Sequence, residues 1–538
     1  LAARPTRDAR VTDPALAAAA AQSRAAIARG TGDAYDHAIV ALANSAAGDY
    51  AAADRLFDTA LAMEPGNPAT LTSLAIHYRR QGRNRDAVLA CDAAIRAHPA
   101  YPDAWLERAS ILATGGSIAA ARDSYARAAA LAPQLAAPLA GLAALAAREG
   151  DHGAALAHGQ AALARDPANA TAITAVARAE AASGQPAAAA ARLEPLLARL
   201  HEPSLERSLA HSLMGDLAAR RGAAAPAFAH YQAANDDFAA IHAHEAGRHL
   251  DQRSFVEAIA EGLAATSAAD WRVEPAAKPP GAATRHIFLL GYPRSGTTLL
   301  ENILASLPGV FALEERPTLA AVDQDFIAGS PDDIRAGVAG FAALGAAALD
   351  RYRTAYWDGV RASAMPPAAS ALVDMDPLKG TRLPFIARLF PDARILLMRR
   401  DPRDVVWSCF RTNFAVSSGT LEYTSLERAA RHYDALMRLT ELALDRLPLT
   451  VREVHYHRLV QSFEAETREI CAFAGLDWSD AVRQFDTTAA RRGTSTASVS
   501  QVRRGLYDGT RQWEAFADFL APVMPILQPW IDRFGYAD

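Results

Sequence analysis

Apolar and polar positions follow one rhythm in the first half of the chain and another in the second. Up to about residue 250 alanine and leucine recur at helical spacing between short polar turns, which predicts a run of amphipathic helices. After about residue 285 short unbroken apolar runs take over. HIFLL (286–290) and ARILLM (393–398) each lead into a charged or glycine-bearing turn and then an amphipathic stretch, the pattern of buried parallel strands followed by helices. The segment LTVREVHYHRLV (449–460) alternates as a further strand would.

The helical half is periodic. Gly48, Gly82, Gly116, Gly150 and Gly184 are 34 residues apart, and Pro65, Pro99, Pro133 and Pro167 keep that interval 17 positions later. Alanine follows each glycine by five residues, at Ala53, Ala87, Ala121, Ala155 and Ala189. A 34-residue period is the signature of tetratricopeptide repeats, helical hairpins that stack on their neighbours. Glycine serves the turn inside each hairpin, proline stops its second helix, and alanine lets the two helices approach. The spacing lengthens to 38 at Gly222, with Ala227 again five residues on, which predicts a divergent or capping hairpin. The expected organisation is a helical extension over 1–36, an array of five regular repeats and one divergent repeat over 37–250, a Pro/Ala/Gly-rich linker over 251–284, and an α/β domain over 285–538. Repeat arrays commonly offer a concave groove, so a peptide or protein substrate or partner is expected there; a spacer or dimerisation arm is the alternative, and a homodimer is left open.

The stretch HIFLLGYPRSGTTLLENILASL (286–307) carries the chemistry. Gly291 and Gly296 let the backbone curl, so that N–H groups and the positive end of the next helix converge on an anion. Ser295, Thr297 and Thr298 add hydroxyls and Arg294 a planar cation. A nucleoside-triphosphate loop needs lysine followed by a hydroxyl residue; Thr297 holds the lysine position here, which suits a shorter anion.

GYPRSGTTLLENIL resembles the 5′-phosphosulfate loop of sulfotransferases that use 3′-phosphoadenosine 5′-phosphosulfate (PAPS), especially the protein-tyrosine type and bacterial sulfotransferases fused to helical repeats. The resemblance covers roughly residues 285–538. It implies an α/β domain like those of phosphate-loop enzymes, with a parallel sheet and helices on both faces, and PAPS as co-substrate with adenosine 3′,5′-bisphosphate as product.

The resemblance also implies roles for single residues. Arg294, Ser295, Gly296, Thr297 and Thr298 hold the phosphosulfate, and Arg400 and Ser408, at the family's R-x7-S spacing, hold the 3′-phosphate. On the residues alone, the cluster Arg399–Arg400–Asp401 with Arg403 and Asp404 reads as a solvated ion-pair turn. Glu315, 21 residues after Arg294 in a Glu-Glu pair, takes the place of the catalytic base. Ser498 takes that of a serine supporting the transition state beside Arg294, Gln501, Arg503 and Arg504 those of donor contacts, and Tyr456 that of an aromatic beside adenine. The relatives carry a lysine where this chain has Met375, leaving Lys379 or Arg382 to replace it.

Likeness to the protein-tyrosine enzymes favours a tyrosine acceptor in a peptide or protein, with saccharide, lipid and small-molecule hydroxyls open. A kinase- or hydrolase-like enzyme with an altered phosphate loop and a non-catalytic adaptor are the rival classes.

A net charge of −5 gives no overall pull toward nucleic acid or anionic membrane, so neither partner is expected. Cys91, Cys409 and Cys471 lie far apart without metal-ligand spacing, so no disulfide framework or metal site is expected. His455 and His457 would share a strand face but lack a nearby third ligand. No apolar run approaches the roughly 18 residues of a membrane span. A cytoplasmic location is the default reading, with a leader before Leu1 left open.

Overall fold

In the computed structural model, which describes residues 14–243, 247, 250–274, 279, 281–492, 502 and 505–536, the 34-residue period becomes five helical hairpins. A helix Pro14–Ala28 precedes them, and the first hairpin pairs Ala34–Ala46 with Tyr50–Met63. The array thus begins at Ala34, where Asp33 and Asp36 form a reciprocal capping box. The fifth hairpin pairs Ala170–Ala182 with Pro186–Arg199. Gly48, Gly82, Gly116, Gly150 and Gly184 all sit at the inner turn with φ between 75 and 83°, a region any Cβ would strain. The alanines five residues on, Ala53 to Ala189, are all fully buried. A larger side chain at those positions would force the helix axes apart.

The chain divides into two units, Leu1–Arg199 and Leu200–Asp538. The divergent hairpin, Leu205–Arg220 with Ala224–Ile241, forms as its spacing predicts, with Gly222 at φ 72° and Ala227 fully buried. By its packing, however, it belongs to the second unit. The stretch expected as linker also departs from its reading. Gln252–Ala264 is a helix capped by Asp251, with Val256, Ile259 and Leu263 fully buried, and Trp271 is buried with its indole N–H on Thr266 at 2.8 Å. Apolar spacing within SFVEAIAEGL outweighs the surrounding Pro/Ala/Gly composition. Residues 275–278 and 280 lie outside the described residues.

The second unit is built on five parallel strands: β1 (Arg285–Leu290), β2 (Val310–Glu314), β3 (Ala371–Met375), β4 (Arg394–Arg399) and β5 (Thr450–His455), in the order β2-β3-β1-β4-β5. Alternate residues feed two cores. Phe288, Leu290, Leu372, Ile395 and Leu397 pack with the helices Gln252–Ala264, Ala346–Ala362 and Leu426–Arg446. Ile287, Leu289, Val373, Leu396 and Met398 pack with Thr297–Ala305, Phe463–Ala474 and Phe485–Arg492. Burial on both faces explains the continuous apolar runs; each buried Leu or Ile contributes about 1.5–3 kcal/mol.

The sheet interior holds one polar knot. Asp374 on β3 is fully buried and ion-paired to Lys379, and it accepts hydrogen bonds from Thr318 at 2.8 Å and Tyr356 at 3.0 Å. Tyr356 in turn meets His286 of β1 at 2.7 Å. A carboxylate at this depth is tolerable only with such a full set of partners.

The segment read as a strand over 449–460 is a strand only to His455. From Tyr456 to Gln461 it turns into a helix, where alternation no longer matches the backbone.

Candidate functional site

Every candidate residue that the structure describes lies at the carboxyl edge of the sheet, in the segments following β1, β2, β4 and β5. Ligands of open parallel sheets bind at that edge, where neighbouring strands send their connections in opposite directions. β1 occupies that position, between β3 and β4.

The loop after β1 is tightly built. Arg294 and Gly296 both have positive φ, 71° and 105°. A Cβ on Gly296 would stand 2.7 Å from the Tyr456 ring, so only glycine fits. The buried Ser295 bonds back to Tyr292 through its N–H (3.0 Å) and accepts from the Tyr292 N–H at 3.4 Å. Tyr292 anchors the loop, its hydroxyl 2.7 Å from His432 Nδ1. The loop opens the helix Thr297–Ala305, whose Thr297 and Thr298 are buried, with Gly296 as an N-cap that has no capping side chain. Its N-terminal N–H groups thus face the loop's concavity.

Two segments far apart in sequence converge on this loop. Arg294 Nε donates to Ser408 Oγ at 2.9 Å, and Arg400 donates to the Arg294 carbonyl at 2.7 Å and the Gly509 carbonyl at 2.5 Å. The Arg400 guanidinium lies 4.8 Å from the Tyr456 ring centroid, and Tyr456 donates to the Tyr507 carbonyl at 2.8 Å. Arg294, Gly296, Thr298, Arg400, Tyr456 and Tyr507 line one pocket.

The charge cluster after β4 resolves residue by residue. Arg399 pairs with Glu441 and Glu453, and Arg403 with Asp401. Those arginines are spent on structure. Arg400 has no ion pair among the described residues, and its buried Nε has no hydrogen-bond partner among them. Burial first, then the neighbouring charges of Arg400 and Arg411, lowers the Arg294 guanidinium to about 10. Like charges crowded in this way make a candidate anion site. Arg411, one turn after Ser408 on the helix Pro402–Arg411, is a further cation that the sequence reading did not single out.

Glu315 follows β2 with φ 44°, its N–H donating to the Met375 carbonyl at 2.7 Å. Its residue is solvent-exposed, yet protein packed around the carboxyl and the charges of Asp376, Glu314 and Glu301 push it up to about 7. The missing family lysine has no replacement in the residues proposed for it. Met375 is fully buried, Lys379 is committed to Asp374, and Arg382 pairs with Asp323 at 3.0 Å. Ser498, Gln501, Arg503 and Arg504 lie outside the described residues. His455 and His457 both approach the Tyr536 hydroxyl, at 3.3 and 3.4 Å, and no group of three or more metal-ligating side chains occurs among the described residues. No helix among them is long and apolar enough to cross a membrane.

The sulfotransferase family model matches residues 286–480, and a tetratricopeptide repeat model matches residues 72–136. An uncharacterized protein of Aquifex aeolicus is 30% identical over 255 residues, 45% of this chain and 32% of that protein, so the likeness spans about a third of that relative's length. Protein-tyrosine sulfotransferase 1 of Danio rerio is 27% identical over 265 residues, 46% of this chain and 72% of that protein. Its namesake from Mus musculus is 37% identical over 125 residues, 23% of this chain and 33% of that protein. The chain thus joins helical hairpins that match a tetratricopeptide repeat model to an α/β domain that matches the sulfotransferase family model.

Proposed function

We propose that this domain transfers a sulfuryl group from PAPS to a hydroxyl, with tyrosine in a peptide or protein as the acceptor. One observation carries the reading: Arg294 of the phosphate loop bonds both to Ser408 and, through its carbonyl, to Arg400, while Arg400 keeps a buried N–H without a partner among the described residues. A buried guanidinium so placed, beside glycine-spaced backbone N–H groups, fits a nucleotide with anionic groups at two ends.

In this reading the loop amides, Arg294, Thr297 and Thr298 hold the phosphosulfate, and Arg400 and Ser408 the 3′-phosphate. Tyr456 stands beside the base. The acceptor oxygen attacks sulfur in line, the bond from sulfur to the bridging phosphate oxygen breaks, and adenosine 3′,5′-bisphosphate departs. Arg294 and the helix N-terminus stabilise the charge growing on the leaving phosphate. Glu315 takes the acceptor proton; a carboxyl near 7 is matched to that task at neutral pH, where a phenol, with a pKa of about 10, stays protonated. Ser498, Gln501, Arg503 and Arg504 keep the roles the resemblance implies. The repeat array docks the peptide or a partner, a role supported by its architecture alone.

A second reading, a donor-binding adaptor without turnover, is favoured by Met375 together with the commitment of Lys379 and Arg382 to carboxylates. Incubation with sulfur-labelled PAPS and tyrosine peptides separates the two. Label transferred to tyrosine supports the enzyme; donor binding without transfer to any hydroxyl supports the adaptor.

A further inference from the structure

The pocket at the carboxyl edge has one wall that neither the phosphate loop nor the helix after β4 supplies. The segment 505–513 contributes Gly505 and Tyr507 to it and is pinned by direct bonds on two sides. On the pocket side its Gly509 carbonyl accepts from Arg400 at 2.5 Å and its Tyr507 carbonyl from the Tyr456 hydroxyl at 2.8 Å. On the other, the buried Asp404 carboxylate accepts from the Arg511 N–H at 2.8 Å and the Trp513 N–H at 3.1 Å, and the Arg403 guanidinium lies 4.0 Å from the Trp513 ring centroid. Arg511 has a φ of 59°, a conformation that a residue other than glycine keeps only where its surroundings fix it.

This anchoring fixes the backbone that carries Tyr507. Two aromatic rings line the pocket among the described residues, Tyr456 and Tyr507, and they differ in what they leave open. Tyr456 is only 8% exposed, with Gly296 against its ring and the Arg400 guanidinium 4.8 Å from its centroid. Tyr507 is 52% exposed. Its ring is nonetheless held. A Cβ on Gly509 would stand 3.2 Å from it, and its hydroxyl accepts from the Gln512 amide nitrogen at 2.9 Å, while the Gln512 amide oxygen accepts from Arg411 at 2.5 Å. A ring that is open yet already ordered loses little freedom when a flat ligand covers it, so the stacking is kept as affinity.

We propose that Tyr507 binds the nucleobase of the donor, its ring giving the face on which the base stacks while the phosphate loop and Arg400 hold the two anionic ends. The proposal rests on the donor reading above and extends it from the anionic groups to the base. Tyr456 then braces the segment from behind, through its bond to the Tyr507 carbonyl.

Calorimetric titration of the full chain with adenosine 3′,5′-bisphosphate and with its abasic counterpart, in which hydrogen replaces the base, tests it. The variants are Tyr507→Ala, Tyr507→Leu and Tyr507→Phe, each checked for an intact thermal transition. Tyr507→Ala should weaken the adenosine bisphosphate roughly 5- to 150-fold, the range for base–aromatic stacking, and change the abasic ligand by less than about 2-fold. Tyr507→Phe keeps the ring and should recover most of that loss. Tyr507→Leu keeps apolar bulk without the ring and should stay weak; it decides the matter if the alanine variant melts early. A merely structural tyrosine would cost both ligands alike. That result, or unchanged affinity for the adenosine bisphosphate in the alanine and leucine variants, overturns the proposal and leaves the donor reading standing. Failure of the wild-type chain to bind the adenosine bisphosphate at all overturns the donor reading, and the proposal with it.

Discussion

The Nε of Arg294 donates to Ser408 Oγ at 2.9 Å, tying the loop after β1 to the helix after β4. The two residues are 114 positions apart, and their bond joins the two segments proposed to hold the donor's anionic groups. Ser408→Ala removes the acceptor and leaves the charge of Arg294 less constrained. Affinity for adenosine 3′,5′-bisphosphate should fall roughly 10- to 100-fold, as for a lost hydrogen bond to a charged group, with the thermal midpoint little changed; titration calorimetry and a melting curve read the two effects.

Gly296 is the tightest point of the loop. Gly296→Ala places a methyl 2.7 Å from the Tyr456 ring at a φ of 105°, so the loop must shift or Tyr456 must move. Stability should drop by about 1–3 kcal/mol in chemical denaturation, with loss of nucleotide binding.

For Glu315 the pH dependence has a definite sign. Its carboxyl is raised to about 7, so the base form fills as pH rises through that value. Transfer activity, kcat/KM against pH, should climb between about pH 6 and 8 and then level off. Glu315→Gln should lower kcat by roughly 100- to 10,000-fold, abolish that limb and spare donor binding. An unchanged kcat in the Gln variant would remove Glu315 from the mechanism.

Glu301, on the helix that the phosphate loop opens, links pH to stability instead. It is fully buried; Oε1 accepts from Arg492 at 2.6 Å, and Oε2 has no partner among the described residues. Burial, aided by Glu314 and Asp374 and opposed by Arg492, raises it to about 7. The folded state thus holds this proton more tightly than the unfolded chain. Its stabilising contribution is complete below about pH 4.5 and is lost as pH rises through 7, on the order of 3 kcal/mol. The Tm should therefore fall between pH 5 and 8, and Glu301→Gln should flatten that slope.

Features that depend on neighbours in sequence were legible in the chain, and features that depend on distant partners were not. The repeats announced themselves because each hairpin needs the same glycine turn and the same small residue at its close approach, as at Gly116 and Ala121. The phosphate loop was legible for a similar reason, since Gly296 answers a local backbone demand. Helix Gln252–Ala264 was hidden by the Pro/Ala/Gly-rich composition around it, although Val256, Ile259 and Leu263 carry a helical spacing. Tyr456 sits one residue past the end of β5, where the alternation of LTVREVHYHRLV could not show that the backbone had turned to helix. The commitment of Lys379 to Thr318 as well as Asp374, and the pairing of Arg382 with Asp323, arise only when the fold brings separate segments together.

In the proposed donor site the arginine-bearing loop and Arg400 together grip a nucleotide with anions at both its 3′ and 5′ positions. Calorimetric titration of the chain, without added metal, with adenosine 3′,5′-bisphosphate and with ATP plus magnesium tests it most directly. The account predicts tight binding of the bisphosphate, abolished by Arg294→Ala and by Arg400→Ala, and weak or no binding of ATP with magnesium. Preference for ATP with magnesium, or bisphosphate binding that survives both substitutions, would contradict it.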